Sequence, residues 1–233
     1  MVRNNSREYM KFFAFVFFFL NPGVLFASDD PFESANRKVH GFNEFADQRV
    51  LKPAARFYEN VFPRFARVGV TNFFSNLSNV NGGINSALQW KPGESFREFA
   101  RLCINTTFGI GGLFDPASRL GIPDGEEDFG QTLAVWGLPE GAYIVIPFFG
   151  PSTIKNGMGS VFDLVLDPMR LYRPFGHQVA FSSVDILNNR AELLAVEGVV
   201  FGDKYLFYKN AYLQRREYLE LDGEIEDAFD DEF

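Results

Sequence analysis

FGIGGLFDPASRLGIPD, residues Phe108–Asp124, opens with three closely spaced glycines set among bulky apolar residues. Gly109, Gly111 and Gly112 interrupt Phe108, Ile110, Leu113 and Phe114, and Pro116 and Pro123 then break any regular helix. Glycine opens positive φ and close backbone approach, at about 0.5–1 kcal/mol per site relative to alanine inside an element. A second charge-free run, GAYIVIPFFG at Gly141–Gly150, is again ended by Pro147 and a glycine. Two such segments point to an apolar surface that bends, as at a membrane or around a lipid. The competing reading on periodicity alone is a pair of buried strands with glycine turns. Gly109, Gly111 and Gly112 are candidate hinges, against simple helix termination after Thr107.

The chain begins with an export signature. Arg3, Arg7 and Lys11 precede the apolar run Phe12–Leu20, and small residues Ala27 and Ser28 follow Asn21-Pro22-Gly23. That is the three-part layout of a secretory signal peptide, with cleavage expected between Ala27 and Ser28. As a helix the run reaches about 14 Å at ~1.5 Å per residue, well short of a ~30 Å bilayer core. No cysteine stands near the junction to accept a lipid, so the mature chain is expected to be exported and unlipidated. Residues 28–221 then form one domain, long enough for a real core. Residues 222–233 belong to an acidic stretch, Glu217–Phe233, with nine acids and no base, which reads as a solvated tail. The net charge of −8 argues against a nucleic-acid partner, because phosphate binding needs a basic surface.

Phenylalanine is in excess, 29 in the whole chain. Neighbouring pairs, Phe73-Phe74 and Phe148-Phe149, cannot both enter one helix face, so either a thick core or an apolar exterior meeting lipid accounts for them. Cys103 is the only cysteine and shares a helix face with Phe96, Phe99 and Ala100, where a buried thiol is expected. His40 and His177 are the only histidines, too few for the usual zinc site. Neither sits near a G-x-S-x-G turn, which weakens an exported hydrolase as a reading. No cofactor is called for.

The pattern is mainly α. Ser95–Thr107 places Phe96, Phe99, Ala100 and Cys103 on one face, with Arg97, Glu98 and Arg101 opposite, the spacing of an amphipathic helix. Val184, Leu187, Ala191 and Leu194 repeat it in a helix near residues 176–196. Asp203 is positioned to cap the next helix, with Tyr205, Tyr208 and Tyr212 as a stripe and Lys204, Lys209, Arg215 and Arg216 polar. Asn36–Arg67 reads as helical with breaks at Pro53 and Pro63. Asp128–Trp136 and Thr153–Leu166 are shorter helices.

Four segments carry a family resemblance: DPFESANRKVHGFN at Asp30–Asn43, NTTFGIGGLFDPASRLGI at Asn105–Ile122, EEDFGQTLAVWGLPEGAYIVIPFFGPST at Glu126–Thr153, and DKYLFYKNAYLQRREYL at Asp203–Leu219. In this order and spacing they resemble the MlaA/VacJ family of Gram-negative bacteria. The resemblance implies an outer-membrane protein that removes mislocalised phospholipid from the outer leaflet and hands it to a periplasmic carrier upstream of an inner-membrane ABC transporter. It further implies a single helical domain, ring-shaped around a central amphipathic channel in the inner leaflet, often bound to a porin trimer. Asp30, Pro31, Phe32, Glu33, Asn36, Arg37, Phe42 and Asn43 match the family's amino-terminal motif. Arg37 either meets a headgroup phosphate or pairs with Glu33. Family members are often anchored through a leader cysteine, so here direct embedding through apolar surface is expected instead.

A transport role needs no catalytic residue. It needs an apolar wall beside a polar path, because each acyl methylene drawn into water costs about 0.8 kcal/mol. Phe108, Ile110, Leu113, Phe114, Val145, Ile146, Phe148 and Phe149 are the candidates for channel wall or membrane contact. The alternative is a soluble periplasmic lipid carrier or scaffold with a closed pocket, which would wash off membranes.

Overall fold

The computed structural model describes residues 30–171, 175–200 and 202–223. The expected signal segment with Ala27 and Ser28, and the acidic stretch from 224 onward, lie outside the described residues.

The chain is a mainly helical domain with one β-hairpin among the described residues. Helix α1 (Glu33–Ala46) passes through a π-turn (Asp47–Leu51) directly into α2 (Lys52–Val61). The break expected at Pro53 is therefore absent. Proline lacks an N–H and crowds the carbonyl four residues back, and the wider π-turn before it absorbs both defects without ending the helix. Pro63 does end it: Phe62 is forced extended, at φ −99° and ψ 121°, before α3 (Arg64–Leu88) starts.

Helix α4 (Pro92–Phe108) folds back on α3 after a tight turn, and the two pack along much of their length. The short α5 (Pro116–Arg119) follows the glycine segment, capped by Asp115. Helix α6 (Phe129–Val135) is capped by the Asp128 side chain. The segment Gly141–Gly150 is less irregular than expected. Strand β1 (Tyr143–Ile146) pairs antiparallel with β2 (Gly150–Thr153), Tyr143 opposite Thr153 and Ile146 opposite Gly150. Thr153 then caps α7 (Ile154–Leu166), which packs on α6. Helices α8 (Pro168–Leu171) and α9 (Phe175–Leu193) follow, and α9 lies against α2 and α3. Asp203 caps α10 (Lys204–Glu220) through the N–H groups of Tyr205 and Leu206, as its position in the sequence anticipates.

The interior does not hold one thick apolar core. Buried apolar residues form small clusters, Ala55 with Tyr58 and Ala191, and Tyr143 with Val145 and Tyr205. Most of the large fully buried side chains are polar: Arg101, Asn79, Asn85, Asn188 and Thr132. Phenylalanine is largely on the outside instead, including Phe57, Phe65, Phe96, Phe108, Phe148 and Phe149.

Candidate functional site

Helix α4 shows the inversion most plainly. Its buried stripe is Ser95, Glu98, Arg101 and Asn105, facing Asn76, Asn79, Gly82, Gly83 and Ser86 of α3. The spacing of an amphipathic helix is as the sequence predicts, but the faces are reversed. Phe96 is 75% exposed and Arg101 only 1%. Phe99 and Cys103 are exposed as well, so the expected buried thiol is corrected to an outward one. Most groups of the polar face find partners inside, although Asn76 Oδ1 and Ser86 Oγ are buried without one. Ser95 donates to the Gly83 carbonyl (2.7 Å), and Asn76 donates to the Thr106 hydroxyl (3.0 Å). Gly83 leaves room for the Phe99 ring, which an added Cβ would approach to 2.9 Å.

Arg101 ties the glycine segment to this seam. Its guanidinium donates to Ser118 (3.1 Å), to the Ile122 carbonyl (2.5 Å) and to Asp115 (3.1 Å), and pairs with Asp124 at 3.1 Å. Asn105 donates to Asp115 (3.0 Å) and accepts from the Ala117 N–H (3.0 Å). Burial pushes the Asp115 carboxyl up, but the Ser118 hydroxyl and N–H, Asn105 and Arg101 outweigh it and hold the group below its ordinary value. Above this anchor the chain turns sharply. The N–H groups of Gly111 and Gly112 return to the carbonyls of Thr106 (2.9 Å) and Asn105 (3.0 Å), closing the end of α4. Both glycines have positive φ, 68° and 93°, and a Cβ on Gly112 would lie 2.7 Å from the Asn76 amide. A Cβ on Gly109 would collide with the Phe114 and Asn105 carbonyls. Helix termination and the glycine turn are thus one feature. Phe108, Ile110, Leu113 and Phe114 are all exposed on it.

The hairpin carries the second group of candidates and divides them. Phe148 and Phe149 are exposed at its tip, Phe149 by 79%, while Ile146 is half-buried. Val145 is only 7% exposed and belongs to the cluster with Tyr143 and Tyr205, so it is a packing residue, not a lipid-facing one. Strand alternation explains the split, since successive side chains point to opposite faces.

The amino-terminal motif clamps this hairpin. Asn36 donates to the Tyr143 carbonyl (3.1 Å) and to Asp30 (3.0 Å), and accepts from the Val145 N–H (2.9 Å). Two helical turns on, Asn43 donates to the Ile146 carbonyl (3.0 Å) and accepts from the Phe148 N–H (2.8 Å). Phe148 is held at φ 67°, with its ring edge-on to Phe42 at 5.2 Å. Asp30 also accepts from the Tyr205 hydroxyl and lies 3.6 Å from the Lys209 ammonium. Pro31 and Phe32 are exposed at the turn that opens α1, where the Phe32 carbonyl accepts from the Asn36 N–H. Arg37 pairs with Glu33 (2.7 Å) and Asp203 (2.9 Å) over the Tyr205 ring, the structural alternative of the two expected for it.

Several buried charges went unrecognised in the sequence. Lys209 and Arg216 are buried on α10, not on its polar outer face. Arg216 donates to Asp128 (2.5 Å) and Asn156 (2.9 Å), and Lys155 donates to Glu220 (2.7 Å). Glu98 sits against Gly82 and Gly125. The Asn79 amide, with its nitrogen toward the carboxylates, donates to Glu98 (2.8 Å) and Asp124 (3.2 Å). Burial, and then the Asp124 charge, push the Glu98 carboxyl up to about 7. Burial likewise raises Asp163, which accepts from Asn81 (2.8 Å) and the Phe129 N–H (3.1 Å). The available signal was the 3-3-4 spacing of polar residues on α4, as regular as that of the apolar ones.

Two openings adjoin the first turns of α4. One is a polar cavity of about 370 Å³ lined mainly by Glu94, Asp124, Glu126, Glu127, Gln131 and Arg215, and by the end of α10. The other is an apolar groove of about 560 Å³. Among the described residues no three His, Cys, Asp or Glu side chains gather as a metal site, and no helix is long and apolar enough to cross a membrane.

Comparison with known proteins agrees with this architecture. The MlaA lipoprotein family model matches residues 28–219. The intermembrane phospholipid transport system lipoprotein MlaA of Haemophilus influenzae is 33% identical over 210 residues, covering 84% of this chain and 81% of its own. Its Escherichia coli namesake is 29% identical over 202 residues, covering 84% and 80%. A solved structure described as "Structural basis for maintenance of bacterial outer membrane lipid asymmetry" is 31% identical and superposes with a TM-score of 0.73, over 82% of this chain and 99% of that one.

Proposed function

We propose, from the premise that this chain belongs to the MlaA lipoprotein family, that it acts in intermembrane phospholipid transport and maintains outer-membrane lipid asymmetry. The observation that carries the reading is the reversal on α4, with Ser95, Glu98, Arg101 and Asn105 inside and Phe96, Phe99 and Phe108 outside. Leaving a large apolar side chain in water instead of burying it forfeits about 1.5–3 kcal/mol. Six outward phenylalanines would cost roughly 10 kcal/mol or more, comparable to the ~5–15 kcal/mol that stabilises a whole domain. That surface is therefore proposed to face acyl chains, with the ring of helices lying in the inner leaflet of the outer membrane, on its periplasmic side.

In this reading the protein takes mislocalised phospholipid from the outer leaflet and delivers it to a soluble periplasmic carrier. A porin trimer is the proposed membrane partner. A polar path is proposed to carry the headgroup, and exposed Phe108, Ile110, Leu113, Phe114, Phe148 and Phe149 supply apolar contact for the chains. Gly109, Gly111 and Gly112 are proposed as the points about which the segment moves. No covalent step is required, since the barrier being lowered is that of moving acyl methylenes through water, about 0.8 kcal/mol each.

The test is surface labelling of phosphatidylethanolamine with a membrane-impermeant amine reagent in cells lacking this chain. More labelled lipid in the outer leaflet, reversed on re-expression, is expected. Unchanged labelling refutes the role. Extraction with alkaline carbonate separates the soluble-carrier alternative, because an embedded protein stays with the membrane fraction.

A further inference from the structure

The glycine segment and the loop after it are fastened to the α3–α4 seam at three places. At the start the Gly111 and Gly112 N–H groups close on α4, and in the middle Asp115 and Ser118 are held by Arg101 and Asn105. The third fastening, at Asp124–Gly125, differs in kind because two acids meet there. Glu98 of α4, 4% exposed, lies against Gly125, whose N–H donates to it and on which a Cβ would fall 1.9 Å from Glu98 Oε1. From α3 the Asn79 amide bridges the pair, reaching Glu98 at 2.8 Å and Asp124 at 3.2 Å.

Asp124 is the looser partner. Ser75 donates to it (2.9 Å), while Arg101 Nε stands 3.1 Å away without forming a hydrogen bond. The other donors of that guanidinium go to Ser118, the Ile122 carbonyl and Asp115. Asp124 is half exposed and lines the polar cavity, so it has a way out to water.

The charges around Glu98 do not offset its burial. Arg101 and Arg97 are the facing cations on α4, Asp124 is the facing anion from the loop, and α3 presents the uncharged Asn79 and Gly82. Burial and Asp124 outweigh both arginines and hold the Glu98 carboxyl at about 7, against an ordinary 4.5. Asp115, at the middle fastening, is held below its ordinary value and stays charged. Of the three fastenings, the one at Asp124–Gly125 is thus the one that changes charge near neutrality. With its proton, Glu98 brings an O–H donor to acceptors that otherwise share one side-chain amide. Without it, two carboxylates face each other across that amide in a low-dielectric seam, where like charges repel strongly.

We propose that Glu98 and Asp124 form a proton latch on the glycine segment: while Glu98 keeps its proton, residues 119–125 are clamped to the seam, and release of that proton to water drives Asp124 outward and frees them. The inference rests on the reading of this segment as the moving part in transport, and adds what controls it.

Hydrogen exchange of the detergent-solubilised full chain tests the latch between pH 5.5 and pH 8, read as protection factors so that the chemical pH dependence of exchange cancels. A carboxyl at about 7 when clamped and 4.5 when free makes opening roughly twentyfold more frequent across that interval. The amides of residues 119–125 should lose protection by that factor. E98Q should hold them closed at both pH values. D124N should shrink the step, because burial alone then opposes the charge. A flat profile in the parent, the same step in E98Q or an unchanged step in D124N overturns the latch. A loss spread evenly along α3 and α4 overturns it too, since the seam would then soften as a whole without releasing the segment. Exchange needs no lipid, so these outcomes strike the latch alone. Unchanged surface labelling in cells lacking the chain strikes the transport reading and leaves the latch standing.

Discussion

Glu98 makes the seam between α3 and α4 sensitive to pH, and replacing it by glutamine measures that directly. The carboxyl is buried beside Asp124, and its folded value of about 7 stands above the ordinary 4.5. Below about 4.5 both folded and unfolded chains hold the proton. As pH rises toward 7 the unfolded chain has already released it while the folded chain retains it, so the folded state loses ground across that window and the loss levels off above it. At 1.36 kcal/mol per unit, the shift amounts to about 3 kcal/mol withheld from the folded state at pH 8. Glutamine carries no charge, keeps an oxygen for the Asn79 amide, and offers an N–H₂ toward Asp124. E98Q should therefore match the parent at pH 5 and exceed it at pH 8, where about 2–3 kcal/mol corresponds to roughly 5–10 °C for a domain of this size. Melting of the detergent-solubilised pair at both pH values is the assay. Asp163, Asp185 and Glu220 are also raised by burial, but they are common to both proteins and cancel in the comparison. An E98Q effect of the same size at pH 5 and pH 8, or a loss of stability at pH 8, would refute the reasoning.

Other perturbations test the remaining parts. R101M leaves Asp115 and Asp124 without their cation and should cost about 2–4 kcal/mol, near the lower end because both carboxylates reach solvent; faster proteolytic cleavage within residues 109–124 would report the released segment. G111A meets open space but a φ of 68°, costing about 1–2 kcal/mol, and G112A should cost more because its Cβ also meets Asn76, as chemical unfolding of both variants would show. F149D places a charge on an exposed side chain, so abundance and melting temperature should hold while the membrane-retained fraction falls, at about 2.5–3.5 kcal/mol per charge at bilayer depth.

The sequence by itself determined several helix starts and that α4 has two chemically distinct faces, but it did not mark α3, the 25-residue helix Arg64–Leu88, beyond Arg67. Asp203 acts locally, through N–H groups two or three residues away, so its cap was legible without a fold, and Asp128 and Thr153 were legible as the starts of the helices they cap. The glycines of Phe108–Asp124 were legible as a turn for the same reason. Their positive φ, and the collision awaiting a Cβ on Gly112, depend on Asn76 from another helix. Pro53 was misread as a break because only the assembled helix shows the π-turn that accommodates it. Which face of α4 points inward was beyond periodicity, since a 3.6-residue repeat is unchanged when the two faces exchange places. Tertiary structure decided that question. It brought Arg101 to Asp115 and Asp124, Asn36 and Asn43 to the hairpin, and Glu98 to Asp124, so that most of the polar face is satisfied within the protein and the phenylalanines are left outside.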